Sequence, residues 1–283
     1  ADCAERAFVL DAVGLSSPMY ASRPLYLLTV DGTDAARALE HLSPYAVERR
    51  PAPPPPPRLP AHPYAWLGCA VYAAVLIGVA LAIANGLGRL DAFGTGELDA
   101  GAVQAGQWWR ASTALTLHLD GAHLTANLVA GCWFGYLAGR QLGAGHAWFL
   151  AVTGAACANL LEALLGPAAH RAVGASTAVF AALGLLSAYA WRTRKRHARH
   201  WALQWAPLVG GLVLLSWTGS GGDDAGEQVD VVAHALGSLA GALLGALAAQ
   251  PRVQRALLRL PQWATGLAAL AQIAVAWGFA LSS

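Results

Sequence analysis

Apolar residues gather along this chain in seven runs, roughly 63–86, 121–140, 147–166, 173–191, 202–219, 230–249 and 262–281. Each is near the ~20 residues that a helix needs to cross ~30 Å of hydrocarbon. Glu162 interrupts the third run near its end and Pro207 sits inside the fifth, both tolerable where they face protein or the interface. The pattern predicts an all-α membrane protein with seven transmembrane helices. Ahead of the first run the pattern differs. Short apolar stretches (Ala7–Leu10, then Leu25–Val30 ending at the turn signal Asp31-Gly32, then a helical run Asp34–Leu42) alternate with charges, which predicts a small α+β domain over residues 1–50. A proline-rich linker, 51–62, carries five consecutive prolines, Pro53 to Pro57, and acts as a stiff spacer. The membrane part then divides into a core, 63–250, and a basic loop with a last helix, 251–283.

Composition agrees with the pattern: 56% of the 283 residues are hydrophobic and 12% charged, with mean hydropathy +0.45. Soluble domains average about 25% charged. A formal net charge of +2 is too small to point to nucleic acid, and the placement of basic residues says more. With the N-terminus in the cytoplasm, twelve basic residues fall on cytoplasmic flanks: Arg49, Arg50 and Arg58, Arg140, Arg192 to Arg199, and Arg252, Arg255 and Arg259. Only Arg89, Arg110 and Arg171 fall on the other side. Positive charge is retained inside, so the head is expected in the cytoplasm and the C-terminus outside, in a multi-pass cell-membrane protein. The arginine and alanine bias suggests a bacterial source. No basic stretch leads into an apolar one at the start, so no signal peptide is expected. The four cysteines are not paired as metal ligands or disulfides would be, and no cofactor, metal or disulfide is expected.

Polar side chains inside the runs are the candidates for chemistry. His123 and Asn127 are four residues apart and share a helix face. Ser176 enters the fourth run after Gly174. In the sixth, His234, Gly237, Gly241 and Gly245 share a face lined with small residues, which allows another helix to approach closely. The fourth run, with Gly174, Ala178, Ala181 and Ala182, is its natural neighbour, and their packing would bring His234 to Ser176. A serine hydroxyl is a weak nucleophile until a base accepts its proton, and acyl transfer needs donors aimed at the developing oxyanion. Ser176, His234, His123 and Asn127 supply nucleophile, base and donors. Asp230, one turn before His234, either orients the imidazole or simply caps the helix.

Several motifs then resemble those of the rhomboid family of intramembrane serine proteases. Trp109-Arg110 looks like the family's W-R signature, and His118, His123 and Asn127 stand at its H-x4-H-x3-N spacing. Gly174-x-Ser176 is similar to its nucleophile motif, and Ala233-His234-x-x-Gly237-x3-Gly241 to its A-H-x-x-G-x3-G motif. The resemblance implies a six-helix rhomboid bundle plus an added seventh transmembrane helix. It also implies a serine endopeptidase with Ser176 as nucleophile, His234 as base, His123 and Asn127 as oxyanion donors, and Phe180 stacked on the histidine, with Gly174 and His118 in supporting roles. The implied partners are single-pass transmembrane substrates and the lipid bilayer. Thr177 departs from the family's usual glycine, and bulk there would narrow the oxyanion pocket. Two other readings stand beside this one. The first is a catalytically silent relative that binds transmembrane clients, and the second is a metal or ion carrier built on His118, Asp120, His123 and His234.

Overall fold

The computed structural model describes residues 2–22, 25–48, 61–86, 91–195, 209 and 231–283. The chain divides into two compact units, Ala1–Pro57 and Arg58–Ser283. In the first, helix α1 (Asp2–Ala12) leads to strands β1 (Met19–Ser22) and β2 (Leu25–Leu28) and then to helix α2 (Ala35–Glu48). The strands pair antiparallel, Met19 opposite Leu28 and Ser22 opposite Leu25. Leu10, Leu15 and Ala38 form the buried centre, and the Tyr45 hydroxyl donates to Glu5 Oε2 at 2.8 Å across the two helices. A core this small stabilises such a unit only marginally.

The second unit is helical. Helix α3 (Ala65–Ala84) is followed by a folded loop. This holds α4 (Ala92–Gly96), the short strand β3 (Leu98–Asp99), α5 (Ala100–Gln104), α6 (Arg110–Thr113) and a 3-10 turn, Ala114–Thr116. Then come α7 (Gly121–Leu142), α8 (Ala144–Leu165), strand β4 (Arg171–Ala172), α9 (Ser176–Lys195), α10 (Val231–Ala248), α11 (Pro251–Leu257) and α12 (Gln262–Ser282). Six of the seven apolar runs are thus helices within a few residues of the expected bounds. The fifth, 202–219, lies outside the described residues.

Four of the described helices, α3, α8, α10 and α12, are long and apolar enough to cross a membrane. Helices α7 and α9 are as long, at 22 and 20 residues, but carry more polar side chains. The reason is their place in the bundle. Helix α9 lies at its centre, packed by α7, α8 and α10, and nearly every side chain from Ala175 to Ala190 is buried. Polar groups there meet protein instead of lipid.

Helices α9 and α10 touch backbone to backbone. A Cβ built on Gly237 would lie 2.7 Å from the Thr177 carbonyl oxygen, and one on Gly241 or Gly245 would overlap the carbonyl of Ala181 or Leu185. Both sides advance by four residues in the same direction, so the helices run parallel. On the other flank, Tyr72 of α3 fills the space beside Gly131 and stacks on Trp148 with ring centres 4.5 Å apart.

The small residues of the α9–α10 contact set a testable cost. Overpacking costs about 1–3 kcal/mol, so Gly241→Ala should lower the thermal midpoint of the purified protein by several degrees. Gly78→Ala on α3 meets nothing within 4 Å and should leave the midpoint unchanged or raise it, since alanine favours helix by about 1 kcal/mol. Equal effects of the two changes in a melting experiment would mean that the α9–α10 contact is looser than described.

Candidate active site

The site is built on the folded loop, and the loop on a buried arginine. Arg110 is 8% exposed, and its guanidinium donates to Glu97 O at 2.9 Å, Gly94 O at 2.7 Å and Gln107 Oε1 at 2.6 Å. A planar cation with five donors can gather several carbonyls at once. Thr113 Oγ1 adds a bond to Gly96 O at 2.6 Å, and the Asn159 side-chain amide of α8 donates to Ala111 O at 3.0 Å. Strand β3 pairs with β4, Leu98 opposite Ala172 and Asp99 opposite Arg171. Arg171 reaches both Glu97 and Asp99 at 3.0 Å. The Glu162 carboxylate, which interrupted the third apolar run, is buried with His170 Nε2 at 3.8 Å.

The segment that carries Ser176 hangs from this loop. Gly174 N–H donates to Ala114 O at 3.0 Å, and Ala175 N–H donates to His118 Nε2 at 3.3 Å. Gly174 has φ +130°, a conformation that L side chains rarely adopt. The space a side chain would need is also taken, since a Cβ there would lie 2.8 Å from His123 Nε2 and 3.8 Å from the Asn127 amide nitrogen. Asp120 fixes His123 by accepting its backbone N–H at 2.8 Å, as an N-cap does, and that bond holds the exposed carboxyl below its usual range. Asn127 Nδ2 donates to His123 O at 3.1 Å, which leaves one amide N–H, and Tyr72 Oη donates to Asn127 O at 2.9 Å. The rings of His118 and His123 meet edge to face, 5.1 Å apart.

On the other side of Ser176 stands His234. It is 7% exposed, and its ring centre lies 4.1 Å from that of Phe180, one turn into α9. Gly237, one turn after His234, abuts Thr177. The seven residues expected from sequence thus fall in one region. His118 meets His123, His123 and Asn127 both lie beside Gly174, Phe180 and His234 are in contact, and Ser176, half-buried, starts α9. One contact is not made: among the described residues, the Ser176 hydroxyl forms no hydrogen bond. Catalytic hydrogen bonds are often long in proteins without substrate and tighten on binding. Asp230 lies outside the described residues. Thr177 Cγ2 lies 3.1 Å from where a Cβ on Gly237 would stand, so its methyl faces the α9–α10 seam.

Four contributors were not singled out by sequence: Tyr72, Thr116, Gln272 and Trp277. Each is a polar or amphipathic side chain in an apolar setting, the signal that could have found them. Gln272 Nε2 donates to Ser112 Oγ at 3.4 Å, while Thr153 Oγ1 donates to Gln272 Oε1 at 3.1 Å. Trp277 Nε1 donates to Thr116 Oγ1 at 3.0 Å. The other end of α12 is tied as well: Gln262 Nε2 donates to Leu142 O at 3.0 Å, and Gln262 Oε1 accepts His146 N–H at 3.2 Å. Among the described residues, no three His, Cys, Asp or Glu side chains converge in a way that could hold a metal ion, so the carrier reading gains no ligand set.

A helical membrane bundle whose central helix begins at a serine, with a buried histidine opposite, defines a narrow class of protein. The family model of the rhomboid domain matches residues 105–251, just over half of the chain. The chain belongs to the rhomboid family. It is 31% identical over 110 residues to the rhomboid protease GluP of Bacillus subtilis (strain 168), a match covering 39% of this chain. The matched stretch spans only 21% of that relative's length. No solved structure matches the chain.

His118 gives a pH test. Burial, then the neighbouring His123, lower its pKa from 6.5 to about 4, and its neutral Nε2 accepts the Ala175 N–H. The unfolded chain therefore binds more protons between those values, and stability should fall as pH drops from about 6.5 to about 4. His118→Gln removes this titration. Its melting midpoint should change less than the wild type's between pH 7 and pH 4.5, and equal slopes would assign the acid sensitivity to other groups.

Proposed function

We propose that this rhomboid-family protein is an intramembrane serine endopeptidase that works through Ser176 and His234. The observation that carries the reading is the packing of the buried His234 ring on Phe180, one turn from Ser176, with the His123 and Asn127 side chains gathered at the preceding Gly174. Ser176 Oγ attacks the substrate carbonyl carbon as its proton passes to His234. The carbonyl oxygen becomes an oxyanion, which accepts hydrogen bonds from the Ser176 backbone N–H, the free Asn127 amide N–H and His123 Nε2–H. His234 returns the proton to the leaving amine as the acyl-enzyme forms. Water then adds with His234 again as base, and release of the carboxylate restores the serine. The burial of His234 keeps bulk water from competing for its proton.

The substrates are single-pass transmembrane proteins, cut in or near the bilayer, on the side where α9 and α10 begin. The arginine distribution makes that side extracytoplasmic, with the 1–50 head in the cytoplasm. A reporter fused after Ser283 should then be active only if it functions outside the cytoplasm, and a cytoplasmic readout from intact cells would reverse the assignment.

A fluorophosphonate probe tests the chemistry. It should label the wild type and fail on Ser176→Ala, while Asn127→Ala, folded and inserted, should cleave a model transmembrane substrate ~10²–10³ more slowly. A folded wild type that neither labels nor cleaves would favour the other reading, a silent relative that retains transmembrane clients. That the Ser176 hydroxyl makes no hydrogen bond among the described residues is the observation in that reading's favour.

A further inference from the structure

Helix α12 lies beyond the part of the chain matched to the family, which ends at residue 251, and its sequence alone reads as one more span. Its buried residues Thr265, Ala269, Ala276 and Ala280 mark the face turned to the bundle. Two polar side chains, Gln272 and Trp277, reach from it into the folded loop. Neither is needed for insertion, and a polar group in such a helix is costly unless it is satisfied.

The Trp277 bond arrives at an informative place. Thr116 Oγ1 accepts from Trp277 Nε1 at 3.0 Å and donates to Thr113 O at 2.7 Å, and Thr116 is 3% exposed. Two residues before it, Ala114 O takes the Gly174 N–H; two residues after it, His118 Nε2 takes the Ala175 N–H. The acceptors that hold the strained backbone ahead of Ser176 therefore straddle the residue that α12 grips. Thr116 is also braced from the loop side, because the Trp277 indole fills the space beside Gly96, whose carbonyl binds Thr113 Oγ1. Phe279, half a turn further, packs on Trp108 and Trp109 with ring centres 5.2 and 6.0 Å apart.

We propose that Trp277 is a positioning residue for the active site: through Thr116 it fixes the two acceptors that set the Gly174–Ala175 backbone, and so the aim of Ser176 and its oxyanion N–H. The inference rests on the protease reading above. The bland account of the same bond is that α12 is merely glued to the bundle, as polar pairs between membrane helices often are. The two differ in what a lost hydrogen bond does. Glue lowers stability and leaves the turnover of folded protein unchanged. A positioning bond lowers kcat with KM little changed, because the loss appears only when the transition state needs its donors in place.

The experiment uses the full chain in proteoliposomes, with kcat and KM for a fluorogenic transmembrane substrate, the fluorophosphonate labelling rate and the melting midpoint. Trp277→Phe keeps an aromatic ring and removes the donor, at the cost of some packing beside Gly96, which the melting midpoint reads and Thr116→Val leaves in place. Its kcat should fall about tenfold, between the few-fold effect of a peripheral hydrogen bond and the ~10²–10³ of a lost oxyanion donor, with KM within about twofold. Thr116→Val, which also loses the bond to Thr113 O, should fall at least as far, and the double variant no further than Thr116→Val alone, since the Trp277 bond is already gone. Thr116→Ser, which keeps the hydroxyl, should stay near wild type and covers the case in which Thr116→Val folds poorly. Trp263→Phe changes an exposed tryptophan of the same helix and should have no effect. A labelled, active wild type with Trp277→Phe unchanged in kcat, or with Trp263→Phe equally slowed, overturns this inference alone. A wild type that never labels removes the protease reading and this inference with it.

Discussion

Everything in the membrane unit depends on how closely α9 and α10 approach. Gly237, Gly241 and Gly245 leave no room between backbones, so the register of one helix on the other is fixed to a single choice of four-residue steps. A larger residue at any of them would push the helices apart. Because His234 is one turn before Gly237 and Ser176 directly precedes Thr177, this register sets how His234 and Ser176 stand along the two helices. Lipid gives no hydrophobic drive for helices to associate, so contact area and close packing must supply it, and a parallel pair of small-residue faces does so.

The serine's other side is held differently. Among the described residues, no membrane helix accepts the Gly174 or Ala175 N–H. The loop supports this backbone, through Ala114 O, His118 Nε2 and the β3–β4 pair. The site is therefore assembled between a rigid helix seam and a folded loop whose own order comes from Arg110 and from the far helix α12. Such a division allows the seam to keep its register while the loop adjusts, since buried polar networks can exchange partners where backbone contact cannot.

Much of this was legible in the sequence. Six described helices coincide with apolar runs because span length is set by bilayer thickness, a constraint read directly from residue number. The i,i+4 spacing of His123 and Asn127 and the glycine face beside His234 carried over to space because a helix turns spacing into a common face. Other features were not legible, for physical reasons. The direction of the Thr177 methyl depends on which neighbour fills the seam, and a family motif does not encode it. The partners Thr116 and Trp277 are 161 residues apart, and a lone tryptophan in an apolar helix looks like an interfacial anchor until its N–H is seen to find an acceptor. Glu162 looked like an interruption because its histidine partner follows only after the helix ends.

Two arginines order the loop, and they answer differently to the water around them. Arg110 is buried and bonds mainly neutral carbonyls, contacts that dissolved ions hardly reach. Arg171 has a side chain 64% exposed and bonds carboxylates, where counterions compete and the Debye length is only about 8 Å at physiological ionic strength. Its strand is only four residues ahead of Ser176. The loop is thus held by one clamp that salt cannot loosen and one that it can, so the stiffness of the segment leading to Ser176 becomes a function of the ionic strength it faces.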